Sequence, residues 1–185
     1  MSIQEATMSP DINMITDLFS KLHRNPEERA ATLAAFRSFE PDGTIRKLSE
    51  FLRQDDRDMI CDAAYLIMMI NPKQGTSLIL PLLKHDSGTV RSCACWLFAG
   101  YGRSFDRENG EVTKGLQNVL LTDPAEDVRL KAAYALESIG DPAALPALQH
   151  AAENDKGADW EGRTVADAAR KAIERITTPP KPRWS

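Results

Sequence analysis

Residues Asp127 to Leu148 read DVRLKAAYALESIGDPAALPAL, an alanine-rich run that pauses at Gly140, Asp141 and Pro142 before a second apolar run begins. In the first run the apolar positions are Val128, Ala132, Ala135, Leu136 and Ile139. At about 100° per residue they fill an arc roughly 100° wide, a single stripe suited to burial against a partner helix. Glycine just past a helix and proline just inside the next are stop and start signals, so the stretch predicts a helix, a tight turn and another helix. Two echoes lie upstream: TVRSCACWLFAGYG from Thr89 to Gly102, and MICDAAYLIMMINP from Met59 to Pro72. Aligned on Met59, Val90, Val128 and Val165, the starts are 31, 38 and 37 residues apart. Recurrence at such a period predicts one supersecondary unit repeated, because no helix pair can bury its stripe alone.

Working outward, the chain divides into five helix pairs. They are predicted at Asp11 to His23 with Pro26 to Phe39, Gly43 to Gln54 with Arg57 to Ile70, and Ser77 to His85 with Thr89 to Tyr101. Gly110 to Thr122 with Ala125 to Ile139, and Pro142 to Asn154 with Arg163 to Ile176, complete the set. Pro81 fits its helix if Ser77 is the N-cap, because it then falls in the first turn. No segment alternates apolar and polar residues as a half-buried strand would. Residues 1–176 therefore read as one repeat domain, and 177–185 as a proline-rich, disordered tail with a PxxP spacing at Pro179 and Pro182.

Charge and cysteine usage remove several functions. A net charge of -4 argues against a general polyanion binder, so nucleic acid is disfavoured. The start of the chain is polar and acidic where a secretory signal is basic and then apolar, and no apolar run reaches ~18 residues. A cytoplasmic protein with reduced thiols is expected, and no membrane partner. Cys93 and Cys95 are two apart on a predicted helix, hence ~200° around it, and cannot share one metal. For His23, His85 and His150 a catalytic reading needs a nucleophile or carboxylate partner that the sequence does not show, and a cation near a helix C-terminus is favourable anyway. No catalytic residue, metal or cofactor is assigned.

Val128-Arg129, Ala132-Ala133, Leu136, the Ile139 to Pro142 turn and Leu145 to Leu148 together resemble a HEAT-like repeat, of the kind found in phycobilisome-lyase-type proteins. Val90-Arg91 and Ala94 match it in the third pair; the second departs, with Met59-Ile60 in place of Val-Arg. The resemblance implies an all-α, right-handed α-solenoid (an α-α superhelix, armadillo-type) of about five hairpins. It also implies that the second helices line a concave face.

Six residues after the aligned starts stand Tyr65, Trp96 and Tyr134, about 145° from the centre of the buried stripe. The resemblance would place the rings along the concave floor, with Asp62 and Glu137 beside them and Lys171 ending the row. Phe36 is a candidate to extend it. Cys61, Met68, Ser92, Cys95, Leu130 and Ala133 share the predicted face. The alternative is ordinary packing between repeats. Arg91 and Arg129, with Asp86 and Asp123 ahead of their helices, are either anion contacts or, as the favoured reading, an internal Arg–Asp ladder. Two longer connections, Gly102 to Glu111 with Phe105 and Glu153 to Arg163 with Trp160 at its tip, are candidate partner contacts.

The function expected is a non-catalytic protein-interaction scaffold or adaptor, including a small inhibitor or immunity protein, whose partner is another protein. A lyase of the bilin-attachment type is the alternative the resemblance permits. A DNA glycosylase of the HEAT-like kind would use Tyr65, Trp96 and Asp62 only in part, against an acidic balance. A homo-oligomeric building block is the third class.

Overall fold

The computed structural model describes residues 9–101 and 110–178. Phe105 and the PxxP spacing lie outside them. Among the described residues there are ten α-helices and no strand beyond one isolated bridge, Ala158 to Thr164. The chain divides into two compact units, Met1–Gly75 and Thr76–Ser185.

In the first unit α1 (Ile12–Leu22) pairs with α2 (Pro26–Ser38), and α3 (Pro41–Phe51) with α4 (Arg57–Ile70), while α2 also touches α4. Each start has a side-chain cap. Asp11 accepts from the Met14 amide at 2.8 Å, and Asn25 accepts from the Glu28 amide at 2.8 Å while donating to Glu28 Oε1 at 3.0 Å. The Met14 and Glu28 amides so bonded are ones that the first helical turn leaves unpaired. The core is aromatic at one end: Phe19 sits between Phe36 and Phe51, with ring centroids 6.4 and 5.1 Å away. Phe36 is fully buried and also meets Phe39 edge-on, so it is core and does not extend a surface row.

α5 (Pro72–Ile79) begins earlier than expected. The Asn71 side chain accepts from the Gln74 amide at 3.2 Å, so Asn71 takes the capping role and Ser77 falls inside the helix. Pro81 then lies beyond the first turn. The chain accommodates it by tightening into a 3₁₀ segment over Leu80–Lys84, which carries the proline at its start.

The second unit continues with α6 (Gly88–Tyr101), α7 (Glu111–Thr122), α8 (Glu126–Ile139), α9 (Leu145–Asn154) and α10 (Val165–Thr177). The pause in the opening stretch is a two-part cap. Gly140 adopts a left-handed φ of 72° and its amide donates to the Leu136 carbonyl, ending α8. The Asp141 carboxylate then accepts from the Ala143 amide at 2.9 Å, starting a 3₁₀ turn over Pro142–Ala144 that runs into α9. Helices α6, α8 and α10 pack side by side in one layer, and α7 packs on α9 and the Leu80–Lys84 segment in the other. α8 is gripped from three directions. Its expected stripe of Val128, Ala132, Ala135, Leu136 and Ile139 is buried, and so are Leu130 and Ala133 on its flanks. Burying a leucine or valine contributes about 1.5–3 kcal/mol each, and the alanines let neighbouring backbones approach.

Candidate functional site

The layer formed by α6, α8 and α10 is fixed in register by side-chain bonds along both seams. Lys131 Nζ donates to Ser92 Oγ at 2.6 Å, and the Ser138 hydroxyl donates to the Ala99 carbonyl at 2.5 Å. On the other seam the nearly buried Glu137 carboxylate meets Lys171 Nζ at 3.3 Å and Arg175 Nη1 at 3.4 Å. Trp96 lies one turn beyond Ser92, and Tyr134 three residues beyond Lys131, so the two rings belong to this bonded face. Trp96 is 56% exposed, and Tyr134 is half-buried. The surroundings differ from a continuous apolar strip. Cys95, Leu130 and Ala133 are sealed in the helix seams with Ser92 and Glu137, because each helix here has a neighbour on the side those residues face. Met68 is likewise buried in the first unit, and Cys61 is half-buried there.

Tyr65 belongs to the first unit, where it is half-buried and the Arg29 guanidinium carbon lies 6.0 Å from its ring centroid. One turn earlier on α4, Asp62 Oδ1 is 2.8 Å from His23 Nε2. Burial pushes the Asp62 carboxyl above its ordinary range, outweighing the opposite pull of His23. Trp160 stands 90% exposed at the tip of the connection between α9 and α10. The Asp159 carboxylate makes that tip rigid: it accepts from the amides of Glu161 and Arg163 at 3.0 and 2.9 Å and from Arg163 Nε at 2.7 Å.

The arginines form the ladder, with one partner different from that expected. Arg91 donates to both Asp123 oxygens at 2.6 and 2.9 Å, and Arg129 to both Asp155 oxygens at 2.7 and 3.0 Å. Each guanidinium also reaches back to carbonyls ahead of its own helix: Arg91 to those of His85 and Asp86, Arg129 to that of Asp123. Asp86 thus contributes its backbone to the ladder, while the carboxylates come from the next repeat. Burial raises the Asp155 carboxyl, but the Arg129 bond and the Gly157 amide more than reverse this, and the net displacement is downward. A cleft of about 320 Å³ opens beside this rung, with the partly exposed Leu121, His150 and Lys156 on its walls.

Two of the candidate reactive groups, Cys95 and His85, are tied into the structure. Burial pushes the Cys95 thiol up to about 12, so it is no nucleophile at neutral pH. His85 is spent structurally, its Nδ1 accepting from the Ser87 amide at 3.0 Å. Among the described residues no three His, Cys, Asp or Glu side chains converge as a metal site, and no helix is long and apolar enough to cross a membrane.

The family model for HEAT repeats matches residues 76–172. The match is to these repeats at large and does not single out the phycobilisome-lyase subgroup. No curated protein matches. Among solved structures, an engineered protein is similar at 18% identity and a TM-score of 0.54, over 88% of this chain and 78% of its own. A designed armadillo repeat protein in complex with the peptide (KR)4 is similar at 18% identity and a TM-score of 0.51, over 89% of this chain and 82% of its own. A second designed armadillo repeat protein has the same identity and coverage with a TM-score of 0.50. These likenesses show the fold, an α-solenoid.

Proposed function

The chain belongs to the HEAT-repeat family, and on that premise we propose that it is a non-catalytic scaffold or adaptor that binds a protein partner on its second-helix faces. Repeat solenoids of this class typically serve as protein-interaction scaffolds. The observation that carries the reading is Trp96: a large indole, more than half exposed, on a helix whose immediate neighbours Cys95 and Leu97 are fully buried. Tryptophan and tyrosine supply much contact area with little entropy loss, which is why they dominate binding hot spots. Tyr134 shares the face, and Lys131, Lys171 and Arg175 surround it with polar groups of the kind that rim an interface, the last two anchored on the buried Glu137. Tyr65 and Asp62 serve the first unit in the same way, and Trp160, fixed on its rigid tip, adds a contact at the array's edge. The (KR)4 complex of the similar designed protein illustrates how such an array takes a peptide.

The experiment is affinity capture from the native host with wild-type protein and with Trp96→Ala. The substitution is expected to weaken capture of the specific partner by more than about 1–2 kcal/mol while the helical circular dichroism and melting temperature hold. A variant that captures every wild-type partner undiminished, or that unfolds, removes Trp96 as the contact.

A further inference from the structure

The first unit carries a groove of about 470 Å³ at the turn between α1 and α2, whose His23 and Arg29 contact the Asp62 and Tyr65 of the face described above. Leu22, Ala30 and Leu33 give it an apolar wall, and His23, Arg24 and Arg29 stand on its rim. None of its lining residues is acidic, although acidic residues outnumber basic ones in the chain by 27 to 23.

The three basic side chains differ in how far they are committed. His23 is bonded to Asp62 at 2.8 Å. Arg24 meets Glu28 at a loose 3.7 Å, and that glutamate's other oxygen already accepts from Asn25. Arg29 lies over the Tyr65 ring and forms no ion pair among the described residues. At 6.0 Å the Arg29 guanidinium is within cation–π reach of the Tyr65 ring, and a guanidinium edge matches a carboxylate bidentately. An apolar wall beside it demands an aliphatic group on the same ligand. The groove offers no aromatic platform on which a base would stack.

We propose that this groove binds an acidic segment of a protein partner, with an aliphatic side chain against Leu22, Ala30 and Leu33 and carboxylates on Arg29 and Arg24. Tyr65 acts as a positioning residue that holds Arg29. The site is separate from the Trp96 face, and either can fail without the other.

The test is fluorescence polarisation on the full chain with three labelled probes. They are the peptide Glu-Glu-Leu-Glu-Glu-Leu-Glu-Glu, the same peptide with glycine for leucine, and a single-stranded oligothymidylate. The leucine peptide is expected to bind, with the other two at least about tenfold weaker. Arg29→Gln with Arg24→Gln is expected to weaken it about tenfold or more, and Ala30→Trp to block the groove at unchanged charge. Trp96→Ala is expected to leave it intact. Arg24, Arg29 and Ala30 are all exposed, so the variants are expected to keep the wild-type melting temperature. The proposal is overturned by no saturable binding of the leucine peptide at millimolar concentration. Equal binding of the glycine peptide or the oligonucleotide, or indifference to the arginine or Ala30 substitutions, overturns it as well.

Discussion

Asp62 and Trp96 show how far a single side chain could be understood before its neighbours were known. Register arithmetic placed Trp96 away from the buried stripe, and its exposure agrees. The same arithmetic grouped Cys95, Leu130 and Ala133 with it, yet these are sealed, because a helix angle says nothing about which flank a neighbouring helix covers. Asp62 was legible as a carboxylate near Tyr65 but not as the partner of His23, 39 residues away. That pair has a pH consequence. A carboxyl whose folded pKa is raised binds more protons folded than unfolded, so its contribution to stability falls as pH rises through the window above its ordinary value of 3.8. Asp62→Asn, which keeps an oxygen to accept from His23, is therefore expected to be at least as stable as wild type at neutral pH and equal to it below that window. Urea midpoints at the two pH values check this, and a less stable variant at pH 7 would contradict it.

Among elements, most helix limits were readable within one or two residues, since caps and apolar periodicity act locally. α5 departed most: Asn71 outcompeted Ser77 as the cap, and the chain met Pro81 with a 3₁₀ segment, while α3 ends and α9 begins three residues from the expected limits. The ladder was half legible. Arginine after valine marked one side of each rung, but the acceptor for Arg129 is Asp155, which lies ahead of α10 and not ahead of the arginine-bearing helices α6 and α8. The signal was available, because Asp155 follows α9 as Asp123 follows α7. Two arginine substitutions separate the ladder from surface pairing. Arg129→Met strands a nearly buried carboxylate and is expected to cost about 2–3 kcal/mol in urea denaturation. Arg170→Met, which removes an exposed pair with Asp167 on the same helix, is expected to cost less than about 0.5 kcal/mol. Equal costs would show that the rungs contribute no more than surface charge. Gly157 has a related constraint: a Cβ there would lie 2.5 Å from Arg129 Nη2, so alanine at that position should displace the guanidinium.

For the molecule as a whole, the division into two compact units has a correlate in the repeat sequence. The position that holds Arg91 and Arg129 in the second unit holds Ile60 in α4, so the rung chemistry is confined to residues 76–185. A fragment spanning residues 76–178 is accordingly expected to retain helical circular dichroism and a cooperative urea transition. A featureless, non-cooperative melt would show that it depends on the rest of the chain. The ladder also has a grammar. The segment from Asp123 to Asn154 opens with an acceptor and contains a donor, Arg129, whose own acceptor, Asp155, opens the next segment. A tandem duplicate of that segment would find Arg129 ahead of it and Asp155 behind it, with every guanidinium matched. Array length is therefore an adjustable quantity as far as the guanidinium rungs are concerned, and copying in register leaves each rung with its acceptor.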